Sequence, residues 1–185
     1  MIKKLLIASA ILATSSTIAV ASGAPYMGAS VGVVTTTAPY SSFRGVPLTI
    51  NAGYGAMVSQ SIYLAGEVFG VVGTSTVTNN NQLGWSPRTT YGYGLSFIPG
   101  IMVSDHTMTY ARLGVVKSRF SNSGSGIFKN VSSTETGTQV GLGMQTSLTQ
   151  NWDLRGEYDY TKYKNTKSSS PQSDAFNIGF IYKFE

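Results

Sequence analysis

The sequence predicts an all-β chain folded as an eight-stranded antiparallel up-and-down transmembrane β-barrel. Three observations carry this expectation. Apolar residues alternate with small or polar ones, period two, in eight successive segments. The connections between the segments alternate long and short. Within the segments, the charges sit on the small and polar face, while the opposite face is greasy and nearly uncharged. Each segment is about ten residues, the length with which a tilted strand crosses a bilayer.

The composition agrees with a chain that lacks a charge-rich solvated surface. Charged residues make up 11% of the 185 residues, against about 25% in an average soluble domain. There is no Cys, which removes disulfides, thiolate metal sites and cysteine nucleophiles together. Residues 1–21 read as a secretory signal peptide. Lys3 and Lys4 form the charged start, Leu5 to Val20 the apolar to small-residue run, and Ala19-Val20-Ala21 the cleavage site. The alternative is a membrane anchor helix, against which Thr14, Ser15, Ser16 and Thr17 interrupt the run. Residues 22–185 then form the barrel domain, and loss of Lys3 and Lys4 lowers the formal charge from +5 to +3.

The first strand is expected over Tyr26–Thr36, with Met27, Ala29, Val31 and Val33 opposite Gly28, Ser30, Gly32 and Val34. The second runs from Pro47 to Met57, with Leu48, Ile50, Ala52 and Tyr54 on the greasy side. The third, Ile62–Gly73, sets Leu64, Val68 and Val72 against Ala65 and Glu67. The fourth, Arg88–Ile98, sets Tyr91, Tyr93, Leu95 and Phe97 against Gly92, Gly94 and Ser96. The fifth, Thr107–Arg119, opposes Ala111, Leu113 and Val115 to Arg112 and Gly114. In the sixth, Glu135–Leu148, Val140, Leu142 and Met144 oppose Gln139, Gly141, Gly143 and Gln145. The seventh, Trp152–Lys164, opposes Leu154, Tyr158 and Tyr160 to Arg155, Glu157 and Asp159. The eighth, Asp174–Phe184, carries Phe176, Ile178, Phe180, Tyr182 and Phe184 on one face.

Short connections are expected at Val58–Ser61, Pro99–His106 and Thr149–Asn151, on the periplasmic side. Long polar ones are expected at Thr37–Val46, Thr74–Pro87, Phe120–Thr134 and Asn165–Ser173, outside the cell. A soluble barrel would turn its greasy face inward and its charges outward. Here the charges are expected inside, as a lumen network of Glu67, Arg112, Arg155, Glu157, Asp159 and Lys183. Three acids balance three bases there, as buried charges require. An eight-stranded interior is just wide enough for side chains, so the lumen is expected to be filled and salt-bridged rather than an open pore.

The last strand carries a resemblance. Asn177, Gly179, Tyr182 and Phe184 fill a polar, glycine, aromatic, aromatic spacing at the C-terminus. The stretches Tyr63–Gly70 and Leu154–Tyr160 are similar in kind. Over essentially the whole mature chain the sequence resembles the small eight-stranded outer-membrane β-barrel family, including the OmpA membrane domain and the OmpX, Ail and opacity-protein group. The resemblance implies that the barrel assembly machinery reads the last strand during insertion. Glu185 departs from it, because many members stop at the terminal aromatic. The implied location is the Gram-negative outer membrane, and a monomer is expected.

The outer rim and loops gather Arg44, Arg88, Lys117, Arg119, Lys129, Lys162, Lys164 and Lys167 against Glu135 and Asp174, a net +6. Asp105, Asp153 and Glu185 make the periplasmic end −3. A basic rim of this kind suits lipopolysaccharide phosphates, and hence a role in outer-membrane integrity. The alternative is an adhesin whose loops bind a host glycan or matrix protein, with Phe43, Trp85, Phe128 and Tyr163 as contact anchors. Trp85, Trp152 and Tyr163 equally suit an interfacial girdle. A small ion channel is a weaker third reading. No catalysis is expected, since the single His106 lies in a turn beside Asp105. No metal, cofactor or nucleic-acid partner is expected either.

Overall fold

A computed structural model of the chain describes residues 23–38, 41–81, 87–122, 132–164 and 172–184. It shows eight strands: β1 (Ala24–Ala38), β2 (Ser41–Met57), β3 (Ile62–Asn81), β4 (Pro87–Ser104), β5 (Thr107–Asn122), β6 (Ser132–Ser147), β7 (Trp152–Lys164) and β8 (Gln172–Lys183). Each pairs antiparallel with its chain neighbours, and β1 pairs with β8, so the sheet closes into a barrel. Closure leaves every transmembrane backbone group a partner within the sheet, which a bilayer requires. Among the described residues, no helix is long and apolar enough to cross a membrane.

Burial along each strand follows the period-two pattern, but inverted relative to a soluble barrel. Leu142, Ile101 and Leu95 are 70%, 59% and 59% exposed, while Glu67 and Arg112 are 3% and 5% exposed. Side chains alternate strictly across a strand, so the sequence pattern fixes which face each residue takes.

The strands are longer than the alternation alone suggested. β4 continues through Pro99 to Ser104, so the connection expected over Pro99–His106 shrinks to a turn at Asp105–His106. β2 starts at Ser41 and β3 runs on to Asn81, inside stretches expected to be loop. Polar Ser, Thr and Asn residues extend a ladder readily where a paired neighbour supports it. The β3 extension begins at an irregularity. Gly73 has φ 62° and is skipped in the register between Val72↔Leu48 and Thr74↔Pro47. A left-handed glycine makes such a bulge without strain, and Pro47 sits where a ladder donor is dispensable.

The inward face is built from glycines paired with large side chains. Glu67 lies opposite Gly53, Arg112 and Asp159 both opposite Gly141, Glu157 opposite Gly143, and Arg155 opposite Gly179. Rings are treated alike: Tyr26 lies opposite Gly53, Phe69 opposite Gly94, Tyr110 opposite Gly143 and Tyr163 opposite Gly137. A Cβ at Gly143 would collide with the Tyr110 ring, and one at Gly141 with the Asp159 carboxylate. The many glycines therefore make room for a filled lumen.

Candidate functional site

The lumen is stacked in layers from the end with the short turns to the end with the long loops. At the turn end, Lys183 Nζ lies 3.0 Å from Asp153 Oδ1, and Gln145 Nε2 donates to Asp153 Oδ2 at 2.6 Å. An apolar plug of Tyr26, Ala65, Ile98, Met108, Tyr110 and Ile181, with Tyr63 and Met102 against it, fills the same end, Tyr26 and Ile181 lying in register with Lys183 and Asp153. Gln145 joins that pair to the main charged layer, because its Oε1 accepts from Arg155 Nε at 2.9 Å. Phe69, Val71, Val116 and Tyr163 form a second apolar group toward the loop end.

In the charged layer, each guanidinium bridges several strands. Arg112 on β5 contacts Glu67 Oε1 on β3 through Nη2 at 2.8 Å and Glu157 Oε1 on β7 through Nε at 2.9 Å. Its Nη1 donates to Ser96 Oγ on β4 at 2.9 Å. Arg155 contacts Glu67 Oε2 through Nη1 at 2.7 Å and donates through Nε to Gln145 Oε1 at 2.9 Å. Tyr26 Oη and Asn51 Nδ2 also donate to Glu67 Oε2, at 3.0 and 2.8 Å, and Tyr110 Oη donates to Glu157 Oε2 at 2.6 Å. The Arg155 guanidinium lies 5.5 Å from the centre of the Tyr26 ring and 5.3 Å from that of Tyr110, so it is held on two aromatic faces as well.

Five of the six residues expected in the network meet there: Glu67, Arg112, Arg155, Glu157 and Asp159. Lys183 does not. Its place near the end of β8 puts it at the turn-end mouth, where it pairs with Asp153. The expectation of a balanced three-against-three layer is corrected accordingly, to three carboxylates facing two guanidiniums. The sequence reading missed Tyr26, Asn51, Ser96, Tyr110 and Gln145 as partners. Each shares the inward parity of the charges on its own or a neighbouring strand, which was the signal available.

The predicted basic rim is split. Arg44, Lys117, Arg119, Lys162 and Lys164 are exposed on the outer face near the loop end. Lys117 of β5 and Lys164 of β7 both pair in register with Thr136 of β6, and Lys162 pairs with Thr138. These cations thus lie across three adjacent strands, with Tyr91 and Tyr93 of β4 beside them. Arg119 Nη1 donates to Tyr91 Oη at 3.5 Å. Arg88 lies in β4, with only its backbone described, and Lys129 and Lys167 lie outside the described residues. Trp85 and Phe128 also lie outside them, and only the backbone of Phe43 is described.

Tyr163, expected at an interface or as a loop contact, instead points into the lumen. It is 7% exposed, beside Phe69 and Val116, with its hydroxyl 3.2 Å from Ser118 Oγ. Its position on β7 has the same parity as Asp159, which decides its side. Trp152 does face outward, at the turn end. Its ring meets Tyr182 edge to face at 5.1 Å, and Tyr182 meets Phe184 at 5.0 Å. Of the terminal-strand residues, Asn177 and Gly179 face the lumen, while Phe184 is exposed. His106 is exposed in its turn.

Comparison with known proteins bears on this arrangement. Residues 5–184 match the family model described as outer membrane protein beta-barrel domain. No curated protein matches the chain. Among solved structures, Neisserial surface protein A superposes with a TM-score of 0.64 at 20% identity, over 86% of this chain and 97% of that one. Ail, the attachment invasion locus protein of Yersinia pestis, superposes with a TM-score of 0.56 at 14% identity, over 86% and 97%. A second structure of Ail, in complex with the heparin analogue sucrose octasulfate, gives 0.56 at 13% identity, over 86% and 99%.

Proposed function

Because the chain belongs to the outer-membrane β-barrel family, we propose that it is a monomeric barrel that holds lipopolysaccharide against its outer face. In this reading the signal peptide exports it, the last strand is read by the barrel assembly machinery, and the loops face the cell exterior. It contributes to outer-membrane integrity, with a sealed lumen. The observation that carries this is the set of exposed cations on β5 and β7, Lys117, Arg119, Lys162 and Lys164, gathered around Thr136 and Thr138 at the loop end of the barrel wall. Cations on the wall itself, beside outward tyrosines, stand where the outer leaflet's phosphates meet the protein. A cation facing lipid tails is costly, and phosphate contact offsets that cost through charge-assisted hydrogen bonds. The apolar plug at the turn end supports a closed lumen over the channel reading.

The test is to refold the wild type and a Lys117→Ala/Lys162→Ala/Lys164→Ala variant with and without purified lipopolysaccharide. The expected result is lipopolysaccharide-dependent stabilisation of the wild type that is reduced at least tenfold in apparent affinity in the variant. Equal stabilisation of both would overturn the assignment.

The same exposed cations, at the base of the loops, favour a second reading, in which the loops bind a polyanionic host glycan and the protein acts as an adhesin. The Ail structure that holds a sulfated sugar gives this reading a precedent in fold alone. Deleting residues 123–131 separates the two: adhesion to glycan-coated surfaces is lost under the adhesin reading, while lipopolysaccharide binding is retained under the first.

A further inference from the structure

The charged layer sets three acids, Glu67, Glu157 and Asp159, against two bases, Arg112 and Arg155. All five are buried. Among residues with described side chains, the other cation of the lumen is Lys183, which is committed to Asp153 at the turn end. Three ionised carboxylates would leave one negative charge uncompensated in a low-dielectric interior. A carboxyl so placed takes up a proton instead.

The proton falls to Glu157 and Asp159. Glu67 has no use for it, because both guanidiniums grip its carboxylate, at 2.8 and 2.7 Å. Glu157 and Asp159 stand two residues apart on the inward face of β7, and both turn to one nitrogen. Arg112 Nε lies 2.9 Å from Glu157 Oε1 and 3.7 Å from Asp159 Oδ1. The two carboxyls also hydrogen-bond to each other. Two ionised carboxylates have no donor between them, so one of the pair carries the hydrogen. The titratable and charged groups of the layer are otherwise Arg112 and Tyr110 from β5, Glu67 from β3, Tyr26 from β1 and Arg155 from β7, with Tyr163 of β7 toward the loop end. From β2, β4, β6 and β8 come the uncharged Asn51, Ser96, Gln145 and Asn177. The other orphaned oxygens turn to different walls: Asn177 Oδ1 to Gly32 on β1, Gln139 Oε1 to Gly114 on β5. They gather no common site for a metal ion beside Asp159.

We propose that the folded barrel holds one proton, shared between Glu157 and Asp159, and that this proton makes the barrel more stable in acid surroundings than in neutral ones. The sign follows from a count of protons. Unfolding exposes both acids to water, where carboxyls ionise above about pH 4. Above that pH the folded state holds one proton more than the unfolded state, so each rise of one pH unit favours unfolding up to tenfold. Below about pH 4 both states are protonated and the dependence ends. Glu67, held by two guanidiniums, keeps its charge in both states over about pH 5 to 7 and adds no slope. The pair lines a cavity of about 90 Å³ that continues past Thr161, Ser118 and Ser173 at the loop end, whereas the plug fills the turn end. Protons therefore reach it from the loop side.

The experiment measures urea unfolding of the refolded barrel in a nonionic detergent, at fixed ionic strength, across about pH 5 to 7. The parent protein carries His106→Asn, which takes the single, exposed histidine out of the titration. Its folded-to-unfolded ratio should fall up to tenfold with each pH unit. Asp159→Asn leaves two acids against two guanidiniums and has no proton to release. It should flatten the dependence and be at least as stable as the parent at the neutral end. An Asp159 that served only as an ion-pair partner of Arg112 would give the reverse, a loss of stability at the neutral end. Should that variant not fold, Glu157→Gln leaves the same charge balance and should flatten the dependence too. Infrared spectra of the folded parent at neutral pH should show a protonated-carboxyl band, and this reading stands whether or not either variant folds. A ratio that does not change with pH, a slope that both variants keep, or a spectrum without that band would overturn the proposal.

Discussion

Arg155 Nη1 and Glu67 Oε2 lie 2.7 Å apart although 88 residues separate them in the chain. Both are nearly inaccessible, with side-chain exposures of 7% and 0%. They come from β7 and β3, which are not neighbours in the sheet, so the contact reaches across the barrel and ties its opposite walls together. Stability of the barrel should depend on such contacts in a graded way, set by how deeply each charge is buried.

Arg155→Ala should therefore be far more damaging than Lys183→Ala. Removing Arg155 leaves Glu67 with one guanidinium in place of two, at a cost of roughly 3–5 kcal/mol if the loss is uncompensated. The Lys183 side chain is 32% exposed at the lumen mouth, and solvent-screened pairs contribute about 0–1 kcal/mol. Urea unfolding of the two variants in lipid vesicles gives the comparison; equal losses would mean that the layer is not the main tie between walls.

Leu142 is the most exposed of the large apolar side chains on the outer wall, at 70%, and sits midway along β6. Leu142→Arg should destabilise the inserted barrel by roughly 2–4 kcal/mol, the cost of a cation on the lipid face near the bilayer midplane. The measurement is the unfolding equilibrium in vesicles together with membrane yield. Wild-type values would place β6 the other way round.

Gly143 lies opposite both Tyr110 and Glu157, and the Tyr110 ring occupies the space a side chain would need. Gly143→Val should cost about 1–3 kcal/mol by overpacking. Combining it with Tyr110→Leu should cost less than the two single losses added, because the two sites share one space. Additive losses in a double-mutant cycle would show that the glycine has another role.

Folding and orientation have a direct readout. The extracted protein should migrate differently on a gel before and after boiling, as a closed barrel that resists detergent does. Protease added to whole cells should cut within 123–131 or 165–171 and spare the turns at 58–61, 105–106 and 148–151. Cleavage at those turns would invert the orientation.

The lumen charges were legible in part. Glu67, Arg112, Arg155, Glu157 and Asp159 stood out because a charge within an alternating strand has only two faces to choose from, and the greasy face excluded it. Lys183 shares their parity but not their height along the axis, and parity says nothing of height. Tyr163 was misread for a different reason: an aromatic near a strand end suits a headgroup girdle or a lumen plug equally well by composition, and only its parity with Asp159 and the glycine opposite it, Gly137, distinguish the two. The polar outer halves of β2 and β3 carry no apolar alternation, so their pairing beyond Val46 and Gly73 could not be seen in either segment by itself.

The sequence by itself determined the number of strands, their order, their antiparallel course and the side taken by the mid-strand charges and apolar residues. These follow from local alternation and from the lengths of the connections, which each segment carries within itself. The tertiary structure alone decided which charges meet, which glycine faces which ring, where the strands stop pairing, and that three acids share two arginines. Those facts depend on the register between strands and on the tilt with which the barrel closes. Such quantities are set by all eight strands jointly, because a shift of one pair displaces side chains on the far wall.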